Sequence, residues 1–322
     1  MTQPNNAWGA DAVDPAATAP GVPSRTLVMG ILNVTEDSFS DGGANPDTET
    51  AVRNALAMIE QGADIIDIGG ESTRPGATRV NAEREQSRVV PVVQQLRAHP
   101  AVEENGVLIS VDTMRASTAR AAVEAGAHII NDVSGGLADE DMLEVAASVT
   151  TPDGQSPQLC LMHWNAESFA GAEGYRYHGQ DIVEHVRDWL QDRADAALAA
   201  GVSTDKLILD PGIGFAKNPQ DNWALLGAVK AIADLGYPVL VGASRKRFLT
   251  ALRPGADGQP GTPESADDAT AAVSALSAHA GAWAVRVHKV AQNRAAVDVA
   301  YALASGKGPE VDETWRARRT VT

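Results

Sequence analysis

The chain has 322 residues, 44% of them apolar, and a formal net charge of −16. One large core is within reach, but no excess of Lys and Arg exists to neutralise a phosphate backbone, which excludes nucleic acid as an expected partner. Cys160 is the only cysteine, so an intrachain disulfide is excluded, and no run reaches the roughly 20 apolar residues that a membrane helix needs.

In chain order, residues 1–24 are rich in Ala, Pro, Asn and Asp without periodicity and read as a disordered leader. They carry no Lys or Arg before Arg25 and no apolar run, so no secretory signal is expected and the cytoplasm is the expected location. A single domain is expected over 25–305, followed by a charged tail over 306–322. Within the domain, apolar runs predict eight strands, near 27–32, 64–69, 107–112, 128–131, 158–163, 206–210, 238–243 and 283–288. Five of them follow a helical pattern that ends in glycine, at Gly62, Gly126, Gly201, Gly236 and Gly281. Glycine just past a helix end adopts the left-handed conformation without a Cβ penalty. The runs are apolar on both faces, as strands of a fully covered parallel sheet must be. Between strands, 181–200 places Ile182, Val186, Trp189 and Leu190 on one helical stripe, and Thr262-Pro263 reads as a cap with proline at the first helical position. Eight strand–helix units fit an α/β fold closed as a (β/α)8 TIM barrel; an open doubly wound sheet is the alternative.

The strands end in polar residues: Asn33, then Glu71-Ser72-Thr73-Arg74, Asp112, Asn131-Asp132, His163, Asp210, Ser244-Arg245-Lys246, and finally Arg286 and His288. A barrel gathers all strand C-termini on one face, so these scattered positions converge on one rim. Each has a bland reading beside the functional one. Asp112 is placed to cap the helix expected at 115–126, and His163, between Met162 and Trp164, fits a packing role. Arg286 and His288 are two apart on one strand and share a face, which with Lys246 makes a candidate phosphate site. Gly212-Ile213-Gly214 lacks the third glycine of a dinucleotide fingerprint, and no Cys/His metal cluster is present. Any ion would be a hard one, held by oxygens such as that of Asn33, substrate phosphates and water.

The stretches MGILNVTEDSFSDGG (29–43), GADIIDIGGESTRPGA (62–77), SVDTMR (110–115), IINDVSGG (129–136), LMHW (161–164), ILDPGIGFAKN (208–218), GASRKRF (242–248) and VRVH (285–288) resemble, in order, the signatures of the dihydropteroate synthase family of pterin-binding barrels. The resemblance implies a pterin site of Asp112, Asn131, Met162, Asp210 and Lys246, with Met162 on the ring face. It implies a pyrophosphate site of Asn33, Arg74, Arg286 and His288, with Mg²⁺ on Asn33. It further implies a p-aminobenzoate pocket of Phe39, Asp41, Thr73, Pro75 and Phe215, partly on loops 34–46 and 71–81 that close over the mouth. Asp41, Lys246 and Arg74 are the implied catalytic residues, and pyrophosphate departs before the arylamine attacks. A homodimer through the later helices is also implied. Lys289, where many relatives are acidic, and Trp164-Asn165 depart from the family pattern. The glycine- and proline-rich 253–263 loop is expected to be flexible and on the catalytic face. Two rivals remain: a methyltetrahydrofolate:corrinoid methyltransferase and a catalytically silent paralogue.

Overall fold

The structure, a computed structural model, describes residues 25–34, 46–71, 80–164, 181–255 and 257–309. Eight strands alternate with helices along the chain: β1 (Leu27–Asn33), α1 (Pro46–Glu60), β2 (Ile65–Gly69), α2 (Ala82–Arg97), α3 (Pro100–Glu104), β3 (Leu108–Asp112), α4 (Ala116–Glu124), β4 (Ile129–Asp132), α5 (Met142–Ser148), β5 (Gln158–Met162), α6 (Ile182–Ala199) and β6 (Leu207–Asp210). The last quarter adds α7 (Pro219–Gly227), α8 (Val229–Ala233), β7 (Leu240–Val241), α9 (Arg247–Thr250), α10 (Asp267–His279), β8 (Ala284–Val287) and α11 (Val290–Ser305).

The strands pair in the order β6-β5-β4-β3-β2-β1-β8-β7, and every ladder is parallel. A parallel bridge from Leu209 to Val239, just ahead of β7, joins the two ends of that sheet. The ring closes, which decides for the barrel over the open sheet.

The glycine junctions behave as their sequence context requires. Gly62, Gly126, Gly201, Gly236 and Gly281 have φ between 90° and 114°, and Gly106, with φ of 61°, is a sixth such residue, ahead of β3. Each lets a helix stop and the chain reverse into the next strand within a few residues. Helix starts are fixed by side chains: Asn81 Oδ1 accepts from Arg84 N at 2.9 Å, Asp181 Oδ1 from Val183 N at 2.8 Å, and Asn218 forms a reciprocal box with Asp221. At Thr262-Pro263 the chain first makes a 3-10 turn over Pro263–Ala266, and α-helical bonding begins at Asp267.

Strand alternation splits the apolar residues into two clusters. Val28, Ile66, Ile109, Ile130, Leu159, Leu207, Val241 and Val285 point outward and pack on the helices. Met29, Ile65, Ile129, Cys160, Ile208, Leu240 and Ala284 point inward and, with Trp283, plug the N-terminal end of the ring. Above this plug the interior turns polar, with Asp67 on β2 and Ser110 on β3 both fully buried. The strands are therefore apolar on both faces only over their first halves, a correction to the sequence reading. Among the described residues, no helix is long and apolar enough to cross a membrane.

Candidate active site

Register sets the depth of each inward residue. Asp67 pairs with Ser110 across β2 and β3, and two residues higher Gly69, Asp112 and Asn131 stand side by side on β2, β3 and β4. Asp67 is the hub of this layer. Its Oδ1 accepts from Ser110 Oγ at 2.6 Å, while Oδ2 accepts from Asn131 Nδ2 at 3.2 Å and from Arg286 Nε at 2.6 Å. Arg286, rising from β8, also donates through Nη2 to Asp112 Oδ2 at 2.7 Å, which leaves Nη1 outside both pairs. Asp112 is thus not a helix cap: Ala116 N, at the start of α4, donates to Asp139 Oδ2 at 2.8 Å instead. Burial alone would lower the Arg286 guanidinium, but Asp67 and Asp112 outweigh it and hold the group above its ordinary range. Burial pushes the Asp112 carboxyl up, with Arg286 opposing. A ring of alternating charges in low dielectric is strong only while complete, since a lone buried charge is costly.

On the opposite side, Asp210 ends β6 in register with Met162 of β5. Asp210 Oδ1 accepts from Gly212 N at 2.7 Å. Its carboxyl is pushed up to about 6 by burial, against the pull of that N–H and of Lys246. Gly242 lies between Asp210 and Arg286; a Cβ there would be 3.8 Å from Asp210 Oδ2 and 3.9 Å from Arg286 Cβ, both ordinary contact distances.

Lys246 caps α9 after a turn in which Arg245 adopts φ of 58°. A non-glycine residue there is strained, and the strain is held by Arg245 Nε and Nη2 donating to the two carboxylate oxygens of Asp267 at 2.7 and 2.9 Å. Lys246 Nζ consequently lies 4.0 Å from the centroid of the Phe215 ring. Burial brings this ammonium down to about 8, helped by Arg286 and opposed by Asp210 and Asp112. Phe215 also packs on Trp164, ring centroids 5.2 Å apart, beside the apolar wall of Met114, Val133, Met162 and Ala216. Ser244 Oγ and His288 Nδ1 are 2.9 Å apart at the ends of β7 and β8.

The rim therefore brings together Asp112, Asn131, Met162, Asp210, Lys246, Arg286 and Phe215, with Asn33 Oδ1 across Gly69 from Asp112. Asp132, one residue on from Asn131, faces the other way and accepts from Ser134 N, Ser134 Oγ and Gly136 N, holding the loop behind β4. Phe39, Asp41, Thr73, Arg74 and Pro75 lie outside the described residues, as do most of loops 34–46 and 71–81. The two ends of the latter are tied together: Arg115 Nη2 donates to Glu71 Oε2 at 2.8 Å and to the Val80 carbonyl at 2.6 Å. In the 253–263 stretch, Gly255 N donates to the Gln259 carbonyl at 2.9 Å, closing an exposed turn. Sequence reading missed Asp67, Ser110 and Lys217. The first two were findable by parity, since Asp67 alternates with Ile65 and Gly69, and Ser110 with Asp112; Lys217 left no comparable signal.

A metal site can be weighed from the donors present. Among the described residues no three His, Cys, Asp or Glu side chains converge to hold an ion. Asn33 offers one neutral oxygen, which suits Mg²⁺ only as an ion completed by water and substrate phosphates.

Comparison with known proteins agrees with this geometry. The family described as "Pterin binding enzyme" matches residues 29–288. A dihydropteroate synthase of Mycobacterium leprae is 47% identical over 291 residues, covering 89% of this chain and 96% of that one. Among solved structures, a Clostridium difficile dihydropteroate synthase crystallised in the presence of pteroic acid superposes with a TM-score of 0.76 at 37% identity, covering 87% of this chain and 97% of that one. The Xanthomonas albilineans dihydropteroate synthase with 4-aminobenzoic acid gives a TM-score of 0.74 at 40% identity, over 87% and 94%. With the family spanning all eight strands and the polar rim, this chain belongs to the pterin-binding enzymes.

Proposed function

We propose that the chain is a dihydropteroate synthase, a transferase that joins a dihydropterin methyl pyrophosphate to p-aminobenzoate and releases pyrophosphate. The observation that carries this reading is the rim itself: two buried carboxylates, an amide and an ammonium converge beside a guanidinium held between acids. A pterin edge offers N–H donors next to a carbonyl acceptor, so Asp112, Asp210, Asn131 and Lys246 can satisfy it. A ring lacking those groups would leave buried polar atoms unpaired, which is a strong basis for rejection. Met162 lines the same wall and supplies a ring face. Arg286 Nη1, His288 and Asn33, with Arg74, are assigned to the pyrophosphate. Bound Mg²⁺ would rest on Asn33 and offset charge on the departing phosphates.

In the reaction the methylene carbon–oxygen bond breaks, pyrophosphate takes the electron pair, and the arylamine nitrogen then bonds to the pterin-stabilised carbon and releases a proton. The residues' task is electrostatic: carboxylates steady the cationic pterin while cations hold the leaving group. Phe215, under Lys246, is assigned to the flat p-aminobenzoate ring, together with Phe39, Thr73 and Pro75; Asp41 is assigned to the developing cation or the amine. The substrates are small molecules in the cell's interior water, and the cytoplasm is the assigned location. Residues 1–24, read from the sequence as a leader, and 310–322, most of the tail, lie outside the described residues.

The chain is also assigned as a homodimer through α10 and α11, whose outer faces leave Leu276 70%, Val299 57% and Leu303 75% exposed. The direct test of activity is to mix purified protein with the pterin pyrophosphate, p-aminobenzoate and Mg²⁺. Dihydropteroate and pyrophosphate in equal amounts are expected, and no product at any protein concentration rejects the reading.

A further inference from the structure

We propose that Lys217 is a positioning residue for the arylamine: its buried ammonium draws the 212–217 turn, which carries Phe215, onto the end of β5. This rests on the assignment of Phe215 to p-aminobenzoate. Lys217 Nζ lies 2.8 Å from His163 Nδ1, 3.2 Å from the His163 carbonyl, 3.0 Å from the Gly212 carbonyl and 3.1 Å from the Phe215 carbonyl. Three carbonyl oxygens and a ring nitrogen aimed at one point repel one another unless a donor sits between them. The lysine nitrogen meets them at that point, its ammonium form donating up to three hydrogen bonds, and burial draws that ammonium down to about 7 with Asp210 opposing.

Apart from Lys217 the turn is held by Gly214 N donating to Asn222 Oδ1 at 2.6 Å and Phe215 N donating to the Gly212 carbonyl at 3.1 Å, and its backbone is strained. Gly212, Gly214 and Ala216 have φ of 69°, 79° and 47°, so three of its residues occupy the left-handed region, one of them with a side chain. A Cβ on Gly212 would overlap the His163 carbonyl, which shows how closely this backbone lies on β5. Strain of this kind persists only where surrounding contacts hold it. The consequence is at Phe215, whose ring lies against both Lys246 and Trp164. The bond from Lys217 requires a bare Nδ1 on His163, in keeping with burial and Lys217 itself holding that imidazole well below its usual range. The Asp210 backbone, by contrast, is placed by the β5–β6 ladder, and its carboxylate meets the turn only at Gly212 N, the end next to the strand. Loss of Lys217 should therefore move Phe215 and spare the pterin carboxylate.

The test compares wild type with K217M, which keeps the length and loses the donors. Initial rates over p-aminobenzoate at saturating pterin pyrophosphate should show KM for the arylamine rising about tenfold, with kcat and the Kd for a bare pterin changing by less than about threefold. K217R, which restores a charged donor, should recover part of the loss. An unmoved arylamine KM, or an equal weakening toward the pterin, overturns the proposal. A wild-type chain that makes no dihydropteroate sinks this reading together with the function, whereas an active wild type with unchanged KM in K217M sinks this one alone. Should K217M not fold, K217Q keeps an N–H donor and carries the same comparison. If neither folds, Lys217 is a residue of the fold and the positioning role is wrong.

Discussion

Asp210 shows how one residue ties function to pH. Its carboxyl is raised to about 6, above the ordinary 3.8, mainly by burial. Between those values the folded apo chain holds a proton that the unfolded chain has released, so this group's contribution to stability declines as pH rises through the window. Pterin binding runs the other way, because only the carboxylate accepts from ring N–H groups. Pterin Kd, measured by titration at pH 5 and pH 8, should be weaker by about tenfold or more at the lower pH, and D210N should reduce that dependence, the remainder belonging to Asp112, whose carboxyl burial raises as well. D210A should abolish pterin binding, since the ring's donors lose their acceptor at about 1–3 kcal/mol or more. Unchanged affinity in D210A would remove Asp210 from the pterin site. Asp67 belongs to the same scale but acts through others. D67N leaves the buried Arg286 with only Asp112 of its two acids, and a loss of roughly 2–4 kcal/mol is expected in denaturant unfolding. A loss under about half a kcal/mol would show that Asp67 is not the hub of that network.

At the level of elements, the barrel separates chemistry from stability along each strand. The N-terminal halves carry the apolar plug and the glycine junctions, and the C-terminal halves carry the polar rim. Gly236 tests this division, because it has φ of 90° and open space where a Cβ would be. G236A therefore probes backbone strain alone and should cost about 1 kcal/mol in unfolding free energy while leaving kcat/KM unchanged. G126A adds a steric conflict, its Cβ falling 2.7 Å from Arg97 Cγ, and should cost more. Equal stability of G236A and wild type would contradict the left-handed requirement. Helix starts follow a local rule: Asn81, Asp181 and Asn218 each accept from backbone N–H groups two or three residues on. Asp112 matched the same local rule and broke it, since its carboxylate turns inward to Arg286, 174 residues away. No capping rule can anticipate a partner that distant.

On the scale of the whole molecule, the exposed apolar residues of α10 and α11 bear on assembly. L303E should shift the protein from dimer to monomer in sedimentation velocity, with the barrel's thermal transition retained in part. A wild type that sediments as a monomer would refute the dimer assignment outright. The sequence by itself determined the periodic alternation of strand and helix, the glycine stops, and the motifs that place the chain among pterin-binding barrels, because these depend on neighbours within a few residues. Only the tertiary structure decided what those residues face. Closure at Leu209 and Val239 turns eight separate strand ends into one rim. Within that rim, Asp67 becomes a partner of Arg286, and Lys217 folds back on His163. Which charges meet inside a barrel is set by register and depth around the ring, and neither quantity is written in any single segment of the chain.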